Sequence, residues 1–247
     1  MTPSVSLNIP TLFAPAVFSD SEEESLLKGY FSEKTRGVFV DVGANDPSNA
    51  VSRFLWVEWS GIVVEPLPEQ AERFPTIPGL TVAEFALTSP ENVSENEYAR
   101  FSIAGKQSTL LPEKLMDRAI VSDTVNVRVT TLQRLLADQG LEAFNFLSVD
   151  VEGAELDVLS DFDLKGFQVG LLLVEDWGRD LQLHRLLRGK GYKRVRRTGF
   201  NSWYVPQDVR FPVSFWGRLQ LLRKYVLGVP FKRLRKWRHD RKSSTPR

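Results

Sequence analysis

Two short segments combine an apolar run with a carboxylate and could together hold a nucleoside. Residues 37–46 have the sequence GVFVDVGAND, and residues 61–66 have the sequence GIVVEP. In a doubly wound sheet the turn after the first strand approaches the ligand, and an acid about 20 residues later accepts hydrogen bonds from ribose hydroxyls. Glu65 lies 22 positions after Gly43. This spacing predicts a ribose contact at Glu65.

The residues that follow Gly43 indicate that the nucleoside carries no phosphate. A dinucleotide site needs three glycines in G-x-G-x-x-G, because backbone amides must approach a pyrophosphate. Here Ala44, Asn45 and Asp46 follow Gly43, and the Asp46 carboxylate would repel a phosphate group. S-adenosylmethionine fits, because it has a ribose, two cationic groups and no phosphate. The pattern disfavours a nicotinamide- or flavin-dependent oxidoreductase.

The predicted cofactor contacts surround the same turn. We assign Asp41 and Gly43 to the methionine end of the cofactor and Glu65 to its ribose. For Asp41 the alternative is a purely local role, in which its carboxylate caps the following turn. The complete predicted cofactor-binding set is Asp41, Gly43, Asn45, Glu65 and Asp150.

Two carboxylates after another apolar run, Asp150 and Glu152, are the predicted catalytic residues. They would lie at the carboxyl end of a strand, where ligands bind in open α/β sheets. Methyl transfer needs the acceptor oxygen aligned with the sulfonium and a group that accepts the hydroxyl proton. One carboxylate would orient the amino group of the cofactor, and the other would accept that proton. A divalent cation held together with Glu175 is an alternative, but we predict no metal ligand.

Four other polar residues are expected to have structural roles. Glu155 falls in the first turn of a predicted helix, where the helix dipole stabilises an acid. His184 and His239 are the only histidines, and a histidine could act as a base near neutral pH. His184, however, is expected on the surface of an amphipathic helix, and His239 belongs to the basic C-terminal segment. Asn201 is expected to be a turn residue that tolerates a left-handed backbone.

A mostly parallel sheet is needed to bring these residues together. Apolar runs predict strands at 38–42, 62–65, 80–87, 144–150 and 169–175. Helical spacing and caps predict helices that begin at Ser21, Pro47, Leu132, Gly153 and Leu181. Alternating runs at 98–103 and 125–130 predict an inserted β segment, with residues 107–110 arching over the ligand face. A final hairpin at 192–205 completes the layout of an α/β, Rossmann-like class I methyltransferase, in which an antiparallel hairpin closes a mostly parallel sheet.

Composition predicts one catalytic domain with appendages in this chain of 247 residues, of which 42% are hydrophobic. We place an extended arm at 1–20, the methyltransferase domain at 21–206 and a basic amphipathic tail at 207–247. The absence of cysteine excludes disulfides, thiolate metal sites and cysteine nucleophiles. No apolar run reaches the roughly 18 residues of a membrane span, and residues 1–18 lack the basic residues of a signal peptide.

Charge is divided unevenly along the chain. Residues 210–247 hold 12 Lys or Arg and one Asp, a net charge of +11, whereas residues 1–209 carry −10. Apolar side chains recur on one predicted helical face of this basic segment, namely Phe215, Leu219, Leu222 and Val226. The pattern predicts an anchor on an anionic membrane surface. The alternative is a helix packed on the body and followed by a solvated tail, and the acidic body argues against nucleic acid as a partner.

Four motifs, in this order, resemble a known family. They are VFVDVGANDP at 38–47, GIVVEPLP at 61–68, TTLQRLL at 130–136 and FLSVDVEGAELDVL at 146–159. Over about residues 20–206 the chain resembles FkbM-type S-adenosylmethionine-dependent methyltransferases. The resemblance implies O-methylation of a hydroxyl, typically of a sugar in a glycan or a lipid-linked saccharide, in the cytoplasm or at the inner membrane face. A non-catalytic, membrane-tethered nucleoside-binding protein of the same fold is the alternative.

Overall fold

A computed structural model describes residues 22–48, 50–93, 97–114, 120–176 and 181–211. The α-helices in these ranges are α1 Glu22–Tyr30, α2 Pro68–Ala71, α3 Leu132–Asp138, α4 Glu155–Ser160 and α5 Leu181–Gly189. The strands are β1 Val38–Val42, β2 Ser60–Val64, β3 Leu80–Ala83, β4 Ala86–Leu87, β5 Tyr98–Ile103, β6 Asp123–Thr130, β7 Phe146–Val149, β8 Leu171–Glu175, β9 Tyr192–Thr198 and β10 Asn201–Pro206. The predicted arm, the Ser21 cap and residues 212–247 of the predicted tail lie outside the described residues.

One sheet of seven strands organises the described chain, in the order β3-β2-β1-β7-β8-β10-β9. Strand β10 runs antiparallel to both of its neighbours, and the other adjacent pairs are parallel. The strand order reverses between β1 and β7, so a crevice forms beyond their carboxyl ends. The predicted Rossmann-like fold, closed by an antiparallel hairpin, is confirmed.

Alternating side chains on the strands form two hydrophobic cores, one on each face of the sheet. Val40 and Ile62 face the core that α3, α4 and α5 cover. Phe39 and Val63 face the other core, which contains Leu27 of α1 and the buried side chains of residues 50–59. Successive strand residues point to opposite faces, so both faces of β1 and β2 are buried. The sheet is thus a rigid support for the loops at its carboxyl edge.

The inserted β segment forms a second sheet, in the order β4-β6-β5. The predicted single strand over 80–87 is wrong, because the chain turns at Glu84 and Phe85 and the two halves join different sheets. β3 pairs with β2, whereas Ala86 of β4 pairs with Val129 of β6. The second sheet has a small core of its own, made by Ala86, Phe101, Val127 and Val129.

The predicted helix that begins at Pro47 is also wrong. In the described residues of this segment the only helical turn is a 3-10 turn at Arg53–Leu55. The amide of Ser52 donates to the Asp41 carboxylate at 3.2 Å and so makes no α-helical bond. Leu55 N–H bonds to the Ser52 carbonyl three residues back, which is the 3-10 pattern. The segment still buries Trp56 and Trp59. The spacing of its apolar residues therefore predicted correctly that they are buried, but not that they form an α-helix.

None of the helices in the described ranges combines the length and the apolar character that crossing a bilayer requires.

Candidate active site

A cavity of 590 Å³ opens at the carboxyl edge of the large sheet. This volume is within the range of about 300–1,000 Å³ typical of small-molecule sites. The second sheet and the turn that follows β5 contribute part of its wall, through Phe101, Ile103, Ser108 and Leu110. The lining of the cavity includes all the residues predicted to bind cofactor or to act in catalysis, namely Asp41, Gly43, Asn45, Glu65, Asp150 and Glu152.

Gly43 allows the turn after β1 to lie directly against the end of β7. Its φ of +78° is in the left-handed region, and a Cβ atom at this position would overlap the carbonyl oxygen of Asp150. The Gly43 amide donates to Val64 at 2.9 Å, and the Asp150 amide donates to Val42 at 3.0 Å. The turn therefore needs glycine for both its conformation and its close contact.

Glu65 is held in the cavity wall by two backbone amides. Its carboxylate accepts from Asn45 N–H at 2.9 Å and from Leu67 N–H at 3.1 Å. The residue is only 4% exposed, and burial raises the pKa of Glu65 to about 7 although both hydrogen bonds oppose the shift. A carboxylate can accept about four hydrogen bonds. Two acceptor positions thus remain for ribose hydroxyls.

Asp41 binds the backbone of the segment that follows the glycine turn, which is the local role considered above, and it also lines the cavity. Its side chain is buried and accepts from the Ser52 amide. Burial raises the pKa of Asp41, while hydrogen bonds from Ser52 and Ser148 oppose the rise. The carboxylate therefore fixes the segment after the glycine turn from within the site wall.

Asp46 keeps a negative charge at the turn where a pyrophosphate would bind. Hydrogen bonds from the side chain and the backbone of Ser48 lower its pKa, with a smaller contribution from Arg73. The Arg73 guanidinium lies 3.1 Å from the Asp46 carboxylate. Arg73 partly balances this charge, and the Asp46 carboxylate still occupies the turn where a pyrophosphate would have to bind.

Four acidic side chains lie beside the end of β7. The carboxylate oxygens of Asp150, Glu155 and Glu175 are all within 4.8 Å of one another. Burial is the main cause that raises the pKa of both Asp150 and Glu175, which are hydrogen-bonded to each other. Glu152 is partly buried, and burial followed by the charges of Asp150 and Glu155 raises its pKa to about 8. Asp150 and Glu152 line the cavity, whereas Glu155 and Glu175 are not among its lining residues. The acidic group as a whole is suited to holding protons or cations.

The loop that carries Glu152 has a defined, unusual backbone. Glu152 has φ of +53° and Gly153 has φ of +106°. One oxygen of Glu155, Oε1, accepts from the amides of Val151 at 3.1 Å and Gly153 at 3.0 Å. Glu155 thus has the structural role expected of it, because it holds the loop that presents Glu152 to the cavity.

Two residues of the site were missed in the sequence. Glu23 of α1 lines the cavity and accepts from Thr198 Oγ1 at 2.6 Å and from Asn201 Nδ2 at 2.9 Å. The expectation for Asn201 is wrong, because it begins β10 and Gly199 takes the left-handed position with φ of +48°. Glu23 gave no signal beyond that of an acid in a first helical turn, because its partners are more than 170 positions away.

His184 does not line the cavity. It is half-buried, with its Nδ1 atom 3.4 Å from the Tyr204 hydroxyl, and burial lowers its pKa. It therefore lies outside the cavity that the predicted site residues line. His239 lies outside the described residues.

Asp176, next to Glu175, belongs to a separate buried ion pair. Its carboxylate accepts from Arg197 Nη1 and from Ser202 Oγ, each at 2.6 Å. Arg194 lies 3.8 Å away. The negative charge of Asp176 is thereby balanced within the hairpin, and it does not join the acidic wall.

Comparison with known proteins agrees with this geometry. Residues 41–194, more than half of the chain, match the family model described as Methyltransferase FkbM domain. A curated relative, Methyltransferase sdnD of Sordaria araneosa, is 44% identical over 63 residues, which cover 24% of this chain and 24% of that relative. The chain thus spans about a quarter of the relative's length, and no solved structure matches it. The match from Asp41 at the glycine turn to Arg194 in the hairpin shows that the chain belongs to the FkbM methyltransferase domain family.

Proposed function

We propose that this protein is an S-adenosylmethionine-dependent O-methyltransferase that acts on a hydroxyl group. One observation carries the proposal: a single cavity is lined both by Gly43 and Glu65, which suit a nucleoside, and by the carboxylate of Glu152. A cofactor and an acceptor hydroxyl would therefore share one enclosed space, as direct transfer between them requires.

The donor groups of the wall fit S-adenosylmethionine. Glu65 has acceptor positions for the two ribose hydroxyls, and the Gly43 turn allows close approach of the ligand. Asn45 fixes Glu65 through its backbone amide. Asp41 and Asp150 supply negative charge for the cationic methionine end. The cofactor supplies an electrophilic methyl group on its sulfonium.

The chain itself would position the acceptor and accept its proton. The acceptor oxygen gains the methyl group and loses its hydrogen, so a base must take up one proton for each turnover. Among the described residues no hydrogen bond engages the Glu152 side chain, and its backbone presents it at the cavity wall. We assign the proton to Glu152 and the orientation of the cofactor's amino group to Asp150.

A sugar hydroxyl in a glycan or lipid-linked saccharide is the acceptor we propose. Polyhydroxylated ligands need many hydrogen-bond partners, and Glu23, Glu152 and Asn201 supply carboxylate and amide groups on the cavity wall. The basic residues of 210–247 support a cytoplasmic location at an anionic membrane surface. A lipid-linked acceptor would be presented at that surface.

The test is to incubate the full chain with methyl-labelled S-adenosylmethionine and saccharide acceptors and to follow both products. We expect S-adenosylhomocysteine and a labelled acceptor in equal amounts. Mass spectrometry of glycans from cells with and without the gene then identifies the acceptor by a methyl-sized mass difference. Binding of S-adenosylmethionine with no S-adenosylhomocysteine for any acceptor would instead favour the non-catalytic alternative.

A further inference from the structure

Three carboxylates from three different elements converge beside the cavity, and of these three Asp150 lines it. Asp150 follows β7, Glu155 is the first residue of α4, and Glu175 is the last residue of β8. Their nearest oxygens all lie within 4.8 Å of one another. Oxygen ligands bind Mg²⁺ at about 2.1 Å and Ca²⁺ at about 2.3–2.6 Å, so ligands on opposite sides of one ion are roughly 4–5 Å apart. The separations in this cluster match that requirement.

Glu175 provides a second observation that points to a ligand. The residue is 6% exposed, and its Oε2 atom is buried without a hydrogen-bond partner. A buried oxygen of a carboxylate is costly when nothing compensates it. In the ion pairs of the described residues, no Lys, Arg or His is paired with Asp150, Glu155 or Glu175. Asp150 and Glu175 are hydrogen-bonded to each other, and the Lys114 charge acts on Glu155, but Glu175 Oε2 itself has no hydrogen-bond partner. A bound cation would compensate this oxygen.

We propose that Asp150, Glu155 and Glu175 bind one divalent cation of the hard class, Mg²⁺ or Mn²⁺. Glu155 uses Oε1 to hold the backbone of residues 151–153, so its Oε2 atom is the ligand. Three protein oxygens leave other positions of an octahedral ion for water or an acceptor oxygen, as is usual for Mg²⁺. The sequence suggested Asp150, Glu152 and Glu175 as an alternative set of cation ligands. In the proposed site Glu155 takes the place of Glu152.

The consequence for catalysis rests on the proposed function. Asp150 and Glu152 line the same cavity, so a cation on Asp150 would lie near the proposed proton acceptor. With the cation bound, Asp41 would supply the negative charge for the cationic methionine end in place of Asp150. A bound cation lowers the pKa of a coordinated hydroxyl. The cation would then hold and polarise the acceptor oxygen.

Binding of the ion is tested on the full-length protein after chelator treatment and dialysis. Mn²⁺ is titrated and followed by calorimetry and by electron paramagnetic resonance of free Mn²⁺. We expect one saturable site per chain, with Mg²⁺ competing for it. Glu175→Gln should weaken Mn²⁺ binding about 100-fold, and Asp150→Asn provides a second variant with the same expected loss. Glu142→Gln, which removes an exposed acid outside the cavity, should bind Mn²⁺ like the unchanged protein.

Two results would overturn the cation site. One is the absence of saturable Mn²⁺ binding at millimolar concentration by the unchanged, folded protein. The other is unchanged Mn²⁺ affinity in both Glu175→Gln and Asp150→Asn. Methyl transfer is measured separately, and transfer that a chelator leaves intact would overturn the catalytic consequence. Mn²⁺ binding without methyl transfer to any acceptor would count against the proposed function while it supported the cation site.

Discussion

Glu65 and Glu152 are two acids of the same cavity with different local partners. Backbone amides of Asn45 and Leu67 hold both oxygens of Glu65. The Glu152 carboxylate has no such hydrogen bond among the described residues. Its backbone is in the left-handed region, with φ of +53°. Glu65 is thus fixed in one position, which suits its proposed role in binding ribose, whereas the Glu152 side chain is left without such bonds for its proposed role as proton acceptor.

Protonation of Glu65 should control the affinity for S-adenosylmethionine. Burial raises the pKa of Glu65 to about 7, and ribose hydroxyls donate to its ionised form, so binding should strengthen as pH rises through that value. Through Glu65, the Kd for S-adenosylmethionine should be about tenfold higher at pH 6 than at pH 8. Calorimetry across this range checks it. Glu65→Gln should lower the affinity for S-adenosylmethionine and remove this part of its pH dependence. The control Glu69→Gln, at an exposed position, should leave the affinity and its pH dependence unchanged. An unchanged pH profile in Glu65→Gln would contradict the ribose assignment.

Glu152→Gln should reduce turnover without loss of cofactor affinity. The amide keeps the shape of the side chain but cannot accept the hydroxyl proton, and loss of a general base costs about 100- to 10,000-fold in rate. Turnover is measured at saturating S-adenosylmethionine, and cofactor Kd is measured separately. The exposed Glu142→Gln is the matched control. Normal turnover in Glu152→Gln would assign the proton to another group.

At the scale of elements, the site depends on the contact between the ends of β1 and β7. These strands are parallel neighbours, with Asp41 opposite Ser148 and Val42 opposite Val149. The Gly43 turn crosses directly over the Asp150 carbonyl. The turn at residues 43–45, which carries predicted cofactor contacts, and the acidic loop that begins at Asp150 are thereby joined through one backbone contact. A change at Gly43 should therefore affect both segments.

Gly43→Ala should lower the free energy of unfolding by about 2–4 kcal/mol and abolish measurable cofactor binding. The new Cβ atom adds an overlap with Asp150 to the cost of a left-handed backbone. Gly140→Ala is a matched control, since Gly140 has φ of +65° and no atom near its Cβ position, and should cost only about 1 kcal/mol. Denaturant unfolding and calorimetry measure both variants. Equal costs for the two substitutions would show that the overlap with Asp150 has no energetic weight.

At the scale of the whole molecule, an acidic body adjoins a strongly basic segment. The body extends at least to Phe211, whose ring stacks on Tyr30 of α1 with centroids 5.4 Å apart. The predicted membrane anchor begins near this contact, and residues 212–247 lie outside the described structure. A cut after Phe211 therefore separates the basic segment from the described body without removing the aromatic contact.

Binding to anionic vesicles should depend on the basic segment. We expect full-length protein to sediment with anionic vesicles at low salt, to detach as salt rises and to bind poorly to neutral vesicles. Replacing Lys232, Arg233, Arg235 and Lys236 by Gln should weaken binding by roughly 4 kcal/mol, at about 1 kcal/mol per charge. A chain ending at Phe211 should lose vesicle binding and keep cofactor binding. Full-length protein that ignores anionic vesicles at low salt would contradict the anchor.

Local sequence alone was enough to predict the core strands and the ligand end of the sheet. Fully buried parallel strands are short apolar runs, and the runs predicted at residues 38–42 and 169–175 are visible without any knowledge of their partners. The structure has the strands at Val38–Val42 and Leu171–Glu175. The glycine turn and the acid 22 positions later also lie within one βαβ-like unit. Asp41, Gly43, Asn45 and Glu65 were therefore named from the sequence, and the structure places them in the cavity lining, while their contacts with a cofactor stay a prediction.

Tertiary structure decided every feature that depends on contacts between distant segments. Asp41 captures the Ser52 amide and turns a predicted helix into a 3-10 turn, and pairing with β6 splits the predicted strand at 80–87. Glu23 joins the site only because α1 reaches the edge of the sheet beside Asp150, and the contact of Glu155 with Asp150 and Glu175 was likewise not foreseen. Apolar periodicity determines which segments are buried, but side-chain convergence across long separations follows from packing, which spacing along the chain does not encode.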